Sequence, residues 1–165
     1  MSIGQSSQSS QSTYTDLEML PGHYIRRLHQ LAVALFSREV AELNLTPVQY
    51  SSLQAICNAP GIDQGTLART IGFDTSTIGS VIDRLEARRL VDRNVSPVDR
   101  RVRLVTPTSE GTALLASVIP PMLRSQELLL TPLSEPDKVE FMRLVKIIVD
   151  SNLELSRAAA DVSPK

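Results

Sequence analysis

The chain has a single cysteine, Cys57, so no internal disulfide can form and the sequence suits a reducing compartment. No apolar run approaches the roughly 18 residues of a membrane span. The first residues, MSIGQSSQSSQSTYTD, have neither a basic start nor an apolar core, so they do not read as a secretory signal, and a cytoplasmic location is expected. Their Ser/Gln repetition cannot support a packed core, and residues 1–16 are expected to form a disordered tail. Glycine-rich phosphate loops and Gly-x-Ser-x-Gly elbows are absent, and no His is paired with a nucleophile, so nothing argues for an enzyme. Two His and one Cys do not fall at ligand spacing with carboxylates, so neither a metal nor another cofactor is expected. Lysine is scarce: arginine outnumbers it 14 to 3. That balance suits bidentate contacts, although high-GC codon usage produces it too.

What is present is a segregated charge. The formal net charge is −1, yet seven arginines (84, 88, 89, 93, 100, 101 and 103) crowd into one short stretch. Phosphate neutralisation depends on local cations, so the even total leaves DNA binding open and disfavours loose, sequence-blind coating.

Around that stretch the local signals are ordered. Leu20, Tyr24, Leu28, Leu31 and Leu35, widened by Val33, Phe36 and Val40, recur at helical spacing from Leu20 to Leu43. Thr46-Pro47-Val48-Gln49 reads as a capping box opening a second helix that turns Val48, Leu53 and Ile56 inward. Asp63 is placed to cap a short third helix with Leu67, Ala68 and Ile71 on its core side, and Gly72 makes the turn after it. A fourth helix, from about Thr75 to Arg89, buries Ile78, Val81, Ile82 and Leu85. Thr75, Ser76, Thr77, Ser80 and Arg84 point elsewhere. Small hydroxyl residues disfavour a helix interior, but they let a recognition helix seat closely against bases.

Leu90–Val95 and Val102–Thr106 alternate as two strands around Ser96-Pro97-Val98-Asp99-Arg100-Arg101. Thr108 begins a long helical region through Leu130, expected to be interrupted at Pro120-Pro121. A final helix, about Glu135 to Ala159, is expected to bury Val139, Met142, Leu144, Val145, Ile148 and Val149. The sum is a mainly α fold with a small β-hairpin wing: a winged helix-turn-helix over 46–107, and a helical dimerisation region over 17–45 and 108–160. Helices from both chain ends lack an evident core of their own, which points to a homodimer on a palindromic double-stranded DNA operator.

Thr46-Pro47-Val48-Gln49-Tyr50, Leu67-Ala68, Asp74-Thr75-Ser76-Thr77, Asp83-Arg84-Leu85-Glu86, Asp99-Arg100-Arg101 and Thr108-x-x-Gly111 resemble, in order and spacing, the MarR family of bacterial transcriptional regulators. The resemblance covers about residues 20–155. It implies a dimeric winged helix-turn-helix, usually a repressor released by a small ligand, often a phenolic or aromatic carboxylate. It makes Ser76, Thr77, Ser80 and Arg84 recognition-helix contacts, with Thr75 beside them, and Arg100 and Arg101 the wing contacts, Arg100 entering the minor groove. Pro107, directly before Thr108, departs from the family pattern and is expected to shorten the second wing strand. The opening of the first helix, LPGHYIRRLHQLAVALF, is similar to a subgroup that governs aromatic-acid catabolism.

His23, Tyr24, Arg26, Arg27 and His29 form a polar cluster outside the winged module. One reading is a solvated helix start; the other is an anion pocket, with His23, Tyr24 and Arg27 holding a small aromatic carboxylate. Cys57, between Ile56 and the end of its helix, reads as a small buried hydrophobe rather than a redox switch. The alternative to a regulator is a winged-helix interaction module without DNA binding, which would have little use for an arginine-tipped wing.

Overall fold

The computed structural model describes residues 16–152. The expected tail therefore lies outside the described residues except for Asp16, as does the expected stretch 153–159 of the last helix; the helix described ends at Ser151, with Asn152 as its cap. Six helices and three short strands follow in the order α1 (Pro21–Glu39), α2 (Pro47–Asn58), β1 (Ile62–Asp63), α3 (Gln64–Ile71), α4 (Thr75–Ala87), β2 (Val91–Val95), β3 (Arg103–Pro107), α5 (Ser109–Leu130) and α6 (Glu135–Ser151).

The helix starts are set by local chemistry. Thr46 Oγ1 accepts from the Gln49 amide at 3.3 Å while Gln49 Oε1 accepts from the Thr46 amide at 3.0 Å, completing the capping box. Asp63 accepts from the Thr66 amide and hydroxyl at 2.9 and 2.7 Å and opens α3. Gly72, at φ 74°, ends that helix in the left-handed region, which glycine enters without penalty. Asn44, at φ 51°, does the same after a 3-10 turn over Ala41–Leu43 that separates it from α1.

Leu53, Ile56, Leu67, Ile78, Ile82 and Leu85 are fully buried between α2, α3 and α4, and Val91 and Val105 close the core from the sheet. The same cluster continues through Phe36, Val40, Leu115 and Val118, so α1 and α5 pack onto the winged lobe without a gap. At about 25 cal/mol per Å² of apolar surface removed from water, this continuous cluster is the main stabilising feature of the chain.

Four expectations change. The wing is not a bare hairpin: β1 adds to it, giving an antiparallel sheet in the order β1-β3-β2. Pro107 does not shorten the second wing strand, because it is the terminal residue of β3, opposite Val91, where a missing N–H costs no interior ladder bond. Pro120 and Pro121 lie inside a continuous α5. Val118, Pro121 and Ser125 share its buried face, and packing there holds the helix through the missing backbone bonds. Finally, α6 buries none of its residues: Val139, Met142, Leu144, Ile148 and Val149 are exposed and Val145 is half-buried. Nor does the stripe of α1 meet a partner at its start, where Leu20, Tyr24, Leu28 and Leu31 are all exposed. Helical spacing marks an apolar stripe but not what covers it, and a single chain does not cover these.

Candidate nucleic-acid interface

α4 begins at Asp74, whose carboxylate accepts from the Ser76 hydroxyl at 2.6 Å, the Thr77 hydroxyl at 2.6 Å and the Thr77 amide at 2.8 Å. The Ser76 hydroxyl, followed by that of Thr77, holds this carboxyl far below the usual carboxylate range. The helix then presents Thr75, Ser76, Ser80 and Arg84 to solvent, with Thr77 half-buried under the cap. Gln64 at the start of α3 donates to the Thr75 carbonyl at 2.8 Å and so fixes the angle between the two helices of the turn. Arg84 makes no ion pair among the described residues, which leaves its five donors free for an external acceptor.

The wing tip is built as tightly. Ser96 Oγ accepts from the amides of Val98 and Asp99 at 3.2 and 3.4 Å, Asp99 Oδ1 accepts from the Arg101 amide at 2.9 Å, and the Ser96 amide donates to the Val102 carbonyl at 3.0 Å. Arg100 and Arg101 stand exposed on this turn, and Val98 beside them is 94 % exposed.

The seven clustered arginines turn out to have different jobs. Arg93, on β2, pairs with Asp83 and, at 3.4 Å, with Glu86 of α4, clamping the wing to that helix. Arg88 Nη1 and Nη2 donate to the Asn44 and Leu43 carbonyls at 2.5 and 3.3 Å, tying the end of α4 to the joint between α1 and α2. Sequence reasoning assigned neither role. A partner in another element leaves no local spacing signal, although the excess of arginine over nearby acids marked the stretch.

A cavity of about 410 Å³ opens between α1, α2 and α5, lined among others by His29, Phe36, Tyr50, Met122 and Gln126. Of the polar cluster at the start of α1, only His29 lines it. His23 is half-buried, edge-on to Tyr24 with ring centroids 5.6 Å apart, while Tyr24 and Arg27 are exposed. Arg27 lies about half a turn around the helix from Phe36, on the face turned away from the cavity of its own chain. Cys57 is half-buried and free, and burial pushes its thiol up, away from the reactive thiolate.

Comparison with known proteins gives a consistent picture. A model of the MarR family matches residues 43–102, the whole of α2 through the wing tip. The chain is 31% identical over 147 residues, 89% of its length and 93% of the relative's, to the HTH-type transcriptional repressor NicR of Pseudomonas putida. Its fold superposes with a TM-score of 0.79 and 28% identity on BpsR of Bordetella bronchiseptica, covering 83% of this chain and 98% of that one; the DNA binding of BpsR is regulated by 6-hydroxynicotinic acid. It superposes with a TM-score of 0.76 and 28% identity on the transcriptional repressor CouR bound to a 23-mer DNA duplex, covering 85% and 99% of the two chains.

Proposed function

Because the chain belongs to the MarR family of DNA-binding transcriptional regulators, we propose that it is a homodimeric repressor of aromatic-acid catabolism genes, released from a palindromic operator by a small aromatic carboxylate. The observation that carries the release step is the cavity between α1, α2 and α5, where the helical region meets the winged lobe. Its volume falls in the range of small-molecule sites, and its lining is largely apolar with a few polar groups, His29, Tyr50 and Gln126 among them. A ring filling it contacts both parts of the molecule. It can therefore favour one separation of the two recognition helices, and it relieves repression only by its differential affinity for the DNA-incompetent state. NicR and BpsR, a repressor and a regulator answering to a hydroxylated pyridine carboxylic acid, make this ligand class the natural one to test.

His23, Tyr24 and Arg27 turn away from the cavity of their own chain, so in this reading they meet the carboxylate at the dimer interface, across the two-fold axis. An electrophoretic shift on the DNA upstream of the gene, titrated with benzoate-, hydroxycinnamate- and nicotinate-type acids, tests the proposal. One acid should release the complex. Arg27→Ala should raise the concentration needed about ten- to hundred-fold, the value of a charge-assisted bond, with operator affinity unchanged. Release identical to wild type would remove Arg27 from the site.

Dimerisation is supported by apolar surface that one chain leaves uncovered. Leu17, Met19 and Leu20 before α1, and Val139, Met142, Leu144, Ile147, Ile148 and Val149 on α6, come from both ends of the described chain. Monomers rarely leave large apolar patches exposed, and a second copy covering these residues would set two recognition helices about 34 Å apart. Ile148→Glu should convert a dimer to a monomer by light scattering and lower operator affinity by at least about a hundred-fold, since each half-site must then be bound independently. A variant that stays dimeric would place the interface elsewhere.

A further inference from the structure

We infer that Ser76 and Thr77 meet the major groove as hydrogen-bond acceptors only, so that the start of α4 selects bases that present an amino group in that groove, adenine or cytosine, and rejects thymine and guanine there. The inference rests on α4 being the recognition helix.

A hydroxyl has one proton and two lone pairs. Those of Ser76 and Thr77 both give their proton to Asp74, at 2.6 Å each, and the carboxylate has no proton with which to reciprocate. Bonds of this length to an ionised acceptor are about twice as strong as neutral ones. Turning either hydroxyl toward a phosphate or a carbonyl would strip a donor from a carboxylate that is itself approaching a polyanion. The hydroxyls therefore stay as they are, lone pairs outward. Ser76 is exposed and is the principal reader; Thr77 is half-buried and acts mainly by holding Asp74. Ser80 donates only weakly, to the Ser76 carbonyl at 3.4 Å, so its hydroxyl is free to turn and carries no such restriction.

In the major groove the donors are the N6 amino group of adenine and the N4 amino group of cytosine, while N7, O6 and O4 are acceptors. Acceptor set against acceptor is repelled, which gives discrimination in both directions. The Asp74 charge adds to this: it disfavours phosphates and is itself compatible with a cytosine amino group. Arg84 is the converse, a donor with no competing partner among the described residues, suited to guanine O6 and N7. Ser76 and Arg84 are two turns apart, about 12 Å along the axis, or on the order of three to four base-pair steps. Each half-site should then pair an amino-bearing base with a guanine at that spacing.

The test selects binding sites for the full-length protein from a random duplex library. Each adenine or cytosine of the selected site is then replaced by an analogue lacking only the amino group. Wild type should lose about ten-fold or more at one position per half-site, relative to the same deletion at flanking positions. Ser76→Ala leaves the Asp74 carboxylate capping the helix through the Thr77 amide and hydroxyl but removes the outward acceptor. That variant should lose less than about three-fold at the same position, and its own selection should show no preference for adenine or cytosine there. A wild-type protein that binds its selected site and is indifferent to every amino deletion overturns the inference, as does Ser76→Ala selecting the same base with the same penalty. Failure of the library to enrich any sequence overturns the recognition-helix reading itself, and the inference with it.

Discussion

Arg100→Ala is expected to weaken operator binding by about a hundred-fold at matched salt, because a dimer carries the residue twice and each copy contributes on the order of ten-fold. The size of the effect follows from how little else the residue does. Arg100 is exposed and makes no ion pair among the described residues. The turn that carries it is held by Ser96 and Asp99 through backbone amides, none of which depends on the arginine side chain. Arg93 in turn holds β2 against α4. Alanine at position 100 therefore removes one exposed arginine side chain from a wing that stays in place. An arginine in the minor groove also releases counterions, so the slope of log affinity against log salt should fall by about one for each arginine removed, or about two per dimer. Arg100→Lys keeps the charge but not the planar donor set and should fall between. Fluorescence anisotropy over a salt series gives both quantities, and an unchanged affinity with an unchanged slope would take the wing out of DNA recognition.

How much of this was readable in the sequence depended on the distance over which each signal acts. Helix caps join residues three apart, so Thr46, Asp63 and Thr108 marked helix starts that the structure has. The left-handed turn at Gly72 was equally local. By contrast β1 has two residues and no periodicity, and it becomes a strand only because Ile62 and Asp63 meet Val105 and Leu104 of β3. The proline pair in α5 signalled a break by propensity, but packing along Leu115, Val118, Pro121 and Ser125 overrode it. The apolar residues of α6 were recognised, but one chain alone leaves them exposed or half-buried, and helical spacing does not say what covers them. For the candidate site, the hydroxyl-rich face of α4 and the wing arginines were legible as residue types at helical and turn spacing. The division of labour among the arginines was not, since Arg88 and Arg93 acquire their partners through tertiary contacts with Leu43, Asn44, Asp83 and Glu86.

Gly111→Ala should be the most destabilising small substitution in the chain, at about 3 kcal/mol or more, lowering the melting temperature by roughly 6–12 °C. A Cβ at this position would stand 2.0 Å from the Leu90 carbonyl oxygen and 2.9 Å from its carbon, both backbone atoms. Neither side can give way cheaply. The Leu90 amide donates to the Leu85 carbonyl at 2.9 Å, and its oxygen accepts from the Thr108 amide at 3.1 Å. Thr108 Oγ1 accepts from the Gly111 amide at 3.0 Å and donates to the Arg89 carbonyl at 2.7 Å. Arg89 is already held at φ 57°, a conformation that costs a non-glycine residue free energy. Gly22→Ala is the internal control: nothing lies within 4 Å of its Cβ, so the same change there should be neutral or stabilising by up to about 1 kcal/mol. Thermal unfolding followed by circular dichroism at one protein concentration separates the two, and equal melting temperatures would mean that the joint is plastic. The position matters because it is where the sheet that carries the wing meets α5, which packs against α1. If the chain relieves the clash by lifting α5 from Leu90, the displacement falls on the connection between the winged lobe and the helical region. Operator affinity measured well below the melting temperature should then fall as well, whereas destabilisation confined to the melting transition would leave it at the wild-type value.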